Sequence, residues 1–498
     1  MNRQRLLHLD LKTVYSYGDQ LLFELVRQSF NAWGGGDYFE LTTTSPFREA
    51  ATSSFVDDVN ENFDAVVIGG GGIFPRRTNA TPASGWQWNI TTDLLKRLKK
   101  PIIVFGAGNP AQFVPEGYNP VFREHINQTM SQSIFFGLRS TGAVDDMRAW
   151  LDDPASAPLT MQPCPTTIGR VLLPRIAGAE PVPDKRIGIQ VGLEVAHVEA
   201  GLEPGAIFPQ LRDLILKLQA DGWDVEFVGH KRTDMKFFRE HGADLGLTGR
   251  ALFGSPKVLF EGMRHYARLP IVLGARGHSQ MIPFGLNNIP LSLSTNNKIR
   301  YFAREIGHPE FLIDPWQSDF ASAALTQIKA AEADRATLRT ELAATQQRFV
   351  DVTTSNLSTI YERLTGDRVT AELVPYSDRE ISLAQADYAD DYERRRLVEE
   401  AVAVATGVAR QEGGALGGDV AGVRVVPSPA GVAYAEQPRD FALRFDKLEQ
   451  DVGEIKAELT RARGVHEATA GHRRLKLPAG VRQRLRPLRR LHDRFVGP

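Results

Sequence analysis

Short apolar runs, each followed by a Gly-rich or polar turn and then a helix-length segment, recur in two series along this chain. The first series is RLLHLDL near the N-terminus, DAVVI at 64–68, PIIVF at 101–105 and SIFFGL at 133–138. Runs that are apolar throughout, rather than alternating, suit strands buried on both faces, and the helical segments between them supply the cover. A doubly wound, Rossmann-like α/β domain is therefore predicted for residues 1–175. The stretch PRIAGAEPVPDKR (174–186) has three prolines and no periodicity and reads as a linker. The pattern then restarts with RIGIQV, a helix over Pro209–Ala220, WDVEFVG, a helix over Asp234–Glu240, RLPIVLGA and IPLSL. This predicts a second Rossmann-like domain over 186–365, closed by a helical run from Ser318 to Leu364 that leans back on the first.

The remaining residues differ in character. Residues 366–440 read as a helical and Gly-rich linker, including EGGALGGDVAGV. Phe441, Phe445, Leu448, Val452, Ile455 and Leu459 are spaced 4, 3, 4, 3, 4, the seam of a short coiled coil over 441–463 that serves either self-association or packing on its own chain. From His472 to Pro498 nine Lys or Arg stand against one Asp, so this tail carries +8 and leaves −9 on the rest of a chain whose net charge is −1. Val481, Leu485, Leu488, Leu491 and Phe495 share one helical face there, broken by Pro487. The tail reads either as an amphipathic anchor to an anionic membrane surface or as a solvated basic segment. Its lone aromatic, Phe495, leaves nothing to interleave with bases, so no nucleic-acid partner is expected. Cys164 is the single cysteine of the 498 residues, which excludes an internal disulfide and a Cys-rich zinc site. No apolar run reaches the roughly 18 residues of a membrane span, and Asp10 and Lys12 interrupt any signal-peptide core. A cytoplasmic protein, peripheral at the inner membrane face if the tail anchors it, is expected.

In open parallel sheets ligands bind beyond the carboxyl ends of the strands. The candidates at such junctions are Gly70 and Gly71 after DAVVI, Gly106 and Gly108 after PIIVF, Arg139 after SIFFGL, Arg276 and His278 after LPIVLGA, and Lys298 after IPLSLSTNN. Glycines admit an anion to the backbone or merely make tight turns; arginine clamps phosphate or carboxylate; histidine exchanges protons near neutrality. Asp19, ahead of the helical run QLLFELVRQSF, is an N-cap, a ligand, or both. Neither G-x-G-x-x-G nor a P-loop is present, and no cluster of metal-ligating residues stands out.

The order of these elements, with Gly18-Asp19 before a helix, WDVEFVGHKRTD, and above all LGARGHSQMIPFGLNNIPLSLSTNNK, resembles the polysaccharide pyruvyl transferase family. The likeness covers about residues 7–315. It implies a two-domain, glycosyltransferase-B-like architecture with the active site between the domains, and transfer of pyruvate from phosphoenolpyruvate to a sugar of a cell-surface polysaccharide or a lipid-linked glycan. No cofactor is expected. On that reading Arg139 and Arg276 hold the donor's phosphate and carboxylate with Lys298 behind them, and His278 is the general acid. Asp19 orients or deprotonates the acceptor hydroxyl, and Gly70 and Gly71 line the cleft. The chain departs from the family at Ser16, where Asn is usual, and at Pro163-Cys164-Pro165, where many members have Asp-Pro; Cys164 reads as a packing residue. Two rival readings remain: a nucleotide-sugar glycosyltransferase, for whose ribose neither Glu194 nor Glu199 sits at a strand end, and a catalytically silent glycan-binding scaffold.

Overall fold

The computed structural model describes residues 3–393 except 12–15, 42–43, 75–79, 109–119, 178–184, 194–196 and 199–200. The Gly-rich segment, the heptads at 441–459 and the basic tail lie outside the described residues. The chain forms two compact units, Met1–Ala389 and Asp390–Pro498, and only residues 390–393 of the second are described.

Two parallel sheets organise the first unit. Among the described residues, one has seven strands: β1 (Gln4–Asp10), β2 (Phe39–Glu40), β3 (Thr44–Pro46), β4 (Ala65–Gly71), β5 (Ile102–Ala107), β6 (Ser133–Leu138) and β7 (Leu159–Met161). Their order is β2-β1-β4-β5-β6-β7, with β3 also on β1. The other has six: β8 (Arg186–Gln190), β9 (Asp224–Gly229), β10 (Thr248–Ala251), β11 (Ile271–Gly274), β12 (Ile289–Leu293) and β13 (Leu312–Ile313), in the order β10-β9-β8-β11-β12-β13. Every pairing between these strands is parallel. The two Rossmann-like, doubly wound domains of a glycosyltransferase-B-like fold are therefore present.

The uniform apolarity of the strands has the expected cause. Ala65, Val67, Ile103 and Phe105 pack on the face toward helix α1 (Tyr17–Ala32), whereas Val66, Ile68, Ile102 and Val104 pack on the opposite one. The α1 face belongs to a core that continues through Cys164, Leu172 and Ile187 into the second sheet, so the halves share apolar burial rather than touching at a polar seam. Cys164 is buried, as a packing residue should be. Helix Arg335–Thr365 braces both halves. Gln346 Nε2 donates to the carbonyls of Thr167 (3.0 Å) and Gly285 (2.8 Å), and Asn356 Nδ2 donates to Met161 O (3.0 Å).

Several boundaries move from their predicted places. The helix read as starting at Pro209 starts at Pro204, because Pro209 is carried inside it, where its missing N–H leaves only the carbonyl of Gly205 without that bond. Asp234 precedes its helix, Lys236–His241, since its carboxylate is engaged elsewhere. The closing run is two helices, Phe320–Ala333 and Arg335–Thr365, divided at Asp334. The chain does not leave the body at Gly366, where φ is +83°. It returns to the first half: Trp33 Nε1 donates to Ala371 O (2.9 Å), Gly34 N to Glu372 O (2.8 Å) and Tyr376 N to Leu172 O (3.0 Å). The stretch assigned to a linker thus begins as part of the folded unit. No helix of the described residues is long and apolar enough to cross a membrane.

Candidate active site

Each sheet has a switch point where the strand order reverses, between β1 and β4 in one and between β8 and β11 in the other, and crevices open there at the carboxyl ends. The first crevice is entered by the start of α1. Tyr17, fully buried, sends its hydroxyl to Leu259 O (3.1 Å) and sets its ring edge-on to His230 (5.3 Å) in the second half. Gly262 leaves the space for that ring: a β-carbon there would overlap it. Tyr17 therefore fixes the start of α1 against the second half. Gly18 plays the same part for His278, whose imidazole occupies the position a Gly18 side chain would take. Asp19 follows in the first helical turn, with its Oδ1 3.9 Å from His278 Nδ1. The N-cap position belongs to Ser16, whose hydroxyl bonds the Asp19 carboxylate rather than the helix backbone.

Arg139 reaches the same place from the end of β6. Gly108 provides its berth, since a β-carbon there would overlap the guanidinium. Arg139 Nη1 donates to His278 Nε2 (3.3 Å) and lies 3.7 Å from Met281 Sδ. A guanidinium can only donate, so His278 Nε2 must accept and its proton sits on Nδ1, toward Asp19. Burial first, and then the Arg139 charge, push the His278 imidazole down to about 3, which keeps it neutral near pH 7. Burial pushes the Asp19 carboxyl up, but His278, Lys231, the Ser16 hydroxyl and Arg139 together hold it below its usual value. Lys298, in the first turn of helix Asn297–Glu305, adds its charge to the field on His278. Arg139 is 8 % exposed, and among the described residues its Nε–H has no hydrogen-bond partner and no carboxylate stands within ion-pair distance of it.

Arg276 stands at the second switch point but is differently occupied. Its Nε lies 2.9 and 3.0 Å from the two oxygens of Asp234, and its Nη2 also bonds that carboxylate. Asp234 takes further bonds from Gln190 Nε2 (2.9 Å) and the backbone N–H of His230 (3.0 Å). Gly192 is again the gap that admits the pair. Beside Asp234 lies a cavity of about 270 Å³ lined by Val191, Leu193, Phe208, Thr233 and Lys236.

The remaining glycines are placed otherwise. Gly70 has φ +68° within β4 and lies against Leu22, and Gly71 (φ +83°) lies near Phe23 and Ile73; Gly106 (φ +67°) lies against Pro165. They pack against helix and loop side chains in the structure. The site thus unites Asp19, Arg139, His278 and Lys298, sets Arg276 one step away on Asp234, and leaves Gly70, Gly71 and Gly106 in the scaffold. Sequence reasoning missed Asp234, Lys231 and Tyr17. Asp234 and Lys231 were visible in GHKRTD directly after a predicted strand. Glu194 and Glu199 lie outside the described residues.

No family model and no curated protein matches the chain. Solved structures of similar architecture include the S. aureus MnaA–UDP co-structure, with a TM-score of 0.49 at 13% identity, covering 75% of this chain and 100% of that one. Another is UDP-GlcNAc 2-epimerase from Neisseria meningitidis bound to UDP-GlcNAc, with a TM-score of 0.41 at 10% identity and coverage of 70% and 98%. A glycosyltransferase from Rickettsia africae gives 0.42 at 11% identity, with 73% and 99% covered. Likeness at this level concerns architecture and carries nothing about chemistry.

Proposed function

We propose that the cleft belongs to a transferase acting on a sugar acceptor, and that its donor is phosphoenolpyruvate. The observation that carries the reading is Arg139: a buried guanidinium that, among the described residues, has an unpartnered N–H and no carboxylate in ion-pair distance, seated beside a neutral imidazole. An uncompensated buried cation is costly, and a ligand anion is what compensates it. A donor bearing phosphate and carboxylate would bond Arg139, with Lys298 adding charge. Its negative charge would raise His278 from its depressed value, so that the imidazole gains a proton on Nε2.

His278 then delivers that proton to the donor's methylene carbon, leaving an oxocarbenium-like centre that one acceptor hydroxyl attacks. Asp19, held ionised, takes the hydroxyl proton. Asp19 passes that proton to the departing phosphate, whose loss regenerates the cationic centre; the second hydroxyl attacks it and gives its proton to the now neutral His278, and the ketal closes. Arg276, held by Asp234, is not a free clamp for the donor.

The second reading is a nucleotide-sugar enzyme, the chemistry named for the proteins of similar architecture. The cavity beside Asp234 favours it, because its apolar walls and size near the lower end of ligand pockets, roughly 300 Å³, suit a nucleoside-sized group. One experiment separates the two. The full chain is incubated with a glycan panel and either phosphoenolpyruvate or UDP-sugars, and products are read by mass spectrometry. Addition of pyruvate less water supports the first reading, glycosyl addition or epimerised donor the second. Thermal stabilisation by the productive donor alone is expected in parallel.

A further inference from the structure

Three strand ends of the second sheet converge on the buried Asp234 carboxylate. Its Oδ1 and Oδ2 accept from Arg276 Nε, beyond β11, at 3.0 and 2.9 Å. Its Oδ2 also accepts from Gln190 Nε2 at the end of β8 (2.9 Å), and from the backbone N–H groups of His230 (3.0 Å) and Lys231 (3.2 Å) beyond β9. Gln190 reaches on to β11, where its Oε1 accepts from Ala275 N (3.3 Å). These donors fill the roughly four lone-pair sites of a carboxylate and leave none for a substrate or a proton. From this hub two connections run to the cleft. His230, its N–H fixed by Asp234, turns its carbonyl to Tyr17 N (3.2 Å), and the two rings meet edge-on at 5.3 Å. Tyr17 opens α1 just ahead of Asp19. Arg276, held at its guanidinium, is tied at its backbone to the helix His278–Gly285: Ser279 Oγ accepts from Arg276 N (3.1 Å) and donates to Arg276 O (2.8 Å). The two connections end on the pair whose Oδ1 and Nδ1 lie 3.9 Å apart, Asp19 from one half and His278 from the other.

We propose that Asp234 is a positioning residue: by locking the loops after β8, β9 and β11 against the start of α1, it sets the distance and angle between Asp19 and His278. It acts through Tyr17 and Arg276 and takes no proton itself. Stability alone does not call for such a group, because apolar residues of similar volume replace a buried ion pair at little or no cost. Gathering a guanidinium, an amide and two backbone N–H groups at one point does call for an anion, whose charge-assisted bonds are the strong and directional ones. The hub also explains why Arg276, two residues from His278, is spent on a carboxylate: its guanidinium fixes the loop that carries the imidazole. Only the consequence for catalysis rests on the function proposed above; the alignment of the pair does not.

The test uses the full chain carrying D234N/R276Q, which replaces the ion pair by two neutral amides and strands no buried charge. Histidine labelled with nitrogen-15 reports the imidazoles by NMR, and the His278 signals are identified by their loss in H278Q. In the parent they should be those of one neutral tautomer protonated on Nδ1; in the double variant both tautomers are expected, because the ring no longer faces Asp19 squarely. The kcat for pyruvate transfer should fall at least tenfold, as displacing reacting groups by a fraction of their contact distance does. Affinity for phosphoenolpyruvate should stay within threefold of the parent, since Arg139 and Lys298 are untouched. Should the double variant fail to fold, Gln190→Leu removes one bond to Asp234 and keeps the ion pair; a three- to tenfold loss of kcat with the same change in the imidazole signals is expected. Unchanged His278 signals in a folded variant overturn the proposal, as does a parental kcat in an active enzyme. Loss of phosphoenolpyruvate binding in parallel with kcat also overturns it, by making Arg276 a donor clamp. A parent that transfers no pyruvate while the variant shows the imidazole change refutes the function and upholds the positioning.

Discussion

Arg276 and Arg139 are both largely buried guanidiniums, but Asp234 neutralises the first and no carboxylate of the described residues neutralises the second. Their alanine variants should therefore diverge. Removing Arg276 strands a fully buried carboxylate, and breaking such a pair costs about 3–5 kcal/mol, readable as a shifted urea midpoint. Arg139→Ala should leave the midpoint within about 1 kcal/mol of the parent, because it removes a charge that burial already penalised, while abolishing donor binding. Equal destabilisation by the two would show that Arg139 is structural. Gly18 offers a second contrast. Alanine is preferred over glycine in helices by about 1 kcal/mol, yet at Gly18 its methyl would displace the His278 ring. Gly18→Ala is expected to lower kcat tenfold or more with little change in Tm, and an active G18A would mean that the imidazole position is not critical. Arg139, His278 and Lys298 were legible because a polar residue directly after an apolar strand lands on the ligand edge. The commitment of Arg276 to Asp234 was not, because the pair joins two different strand ends 42 residues apart.

At the scale of elements, the start of helix Thr141–Arg148 is capped from the other half. Glu305 Oε2 accepts from both the N–H and the hydroxyl of Thr141, each at 2.9 Å, and Tyr301 donates to Asp146 at 3.0 Å. Arg139 lies just before the first of these helices, and Lys298 opens the helix that ends with Glu305. Glu305→Gln should therefore raise KM for the donor three- to tenfold while leaving Tm within a few degrees. An unchanged KM would uncouple this contact from the site. The strands were readable from sequence, since burial on both faces writes a continuous apolar run; helix starts were not, since Pro209 and Asp234 each carry a residue type that marks a boundary but serve the interior and the site here. The return of residues 367–376 to the first half left no signal at all, because a segment held by backbone bonds to Trp33, Gly34 and Leu172 needs no apolar period of its own.

For the whole molecule, buried histidines set the acid limit. Burial pushes His125 down to about 4 and His230 to about 3, so both are neutral in the folded chain. Below pH 6.5 the unfolded chain binds protons that the folded chain refuses, and stability falls as pH falls. Each histidine should cost roughly 1.5–2 kcal/mol between pH 6.5 and 5, a loss that denaturant titrations at the two pH values would measure. A flat stability profile over that interval would contradict their burial. Truncation at residue 366 should yield an unstable product, since it removes Leu373 and Tyr376 from the first half, whereas truncation after 393 should leave a cooperative thermal transition. The bond from Trp33 to Ala371 spans 338 residues of chain. During synthesis at about 5–20 residues per second, that interval lasts on the order of 20 to 70 s. Throughout it the nascent first half presents Trp33, Tyr38 and Phe39 without the Tyr361 side chain that finally covers them, an aromatic patch open to chaperones on the ribosome until the chain is three-quarters made.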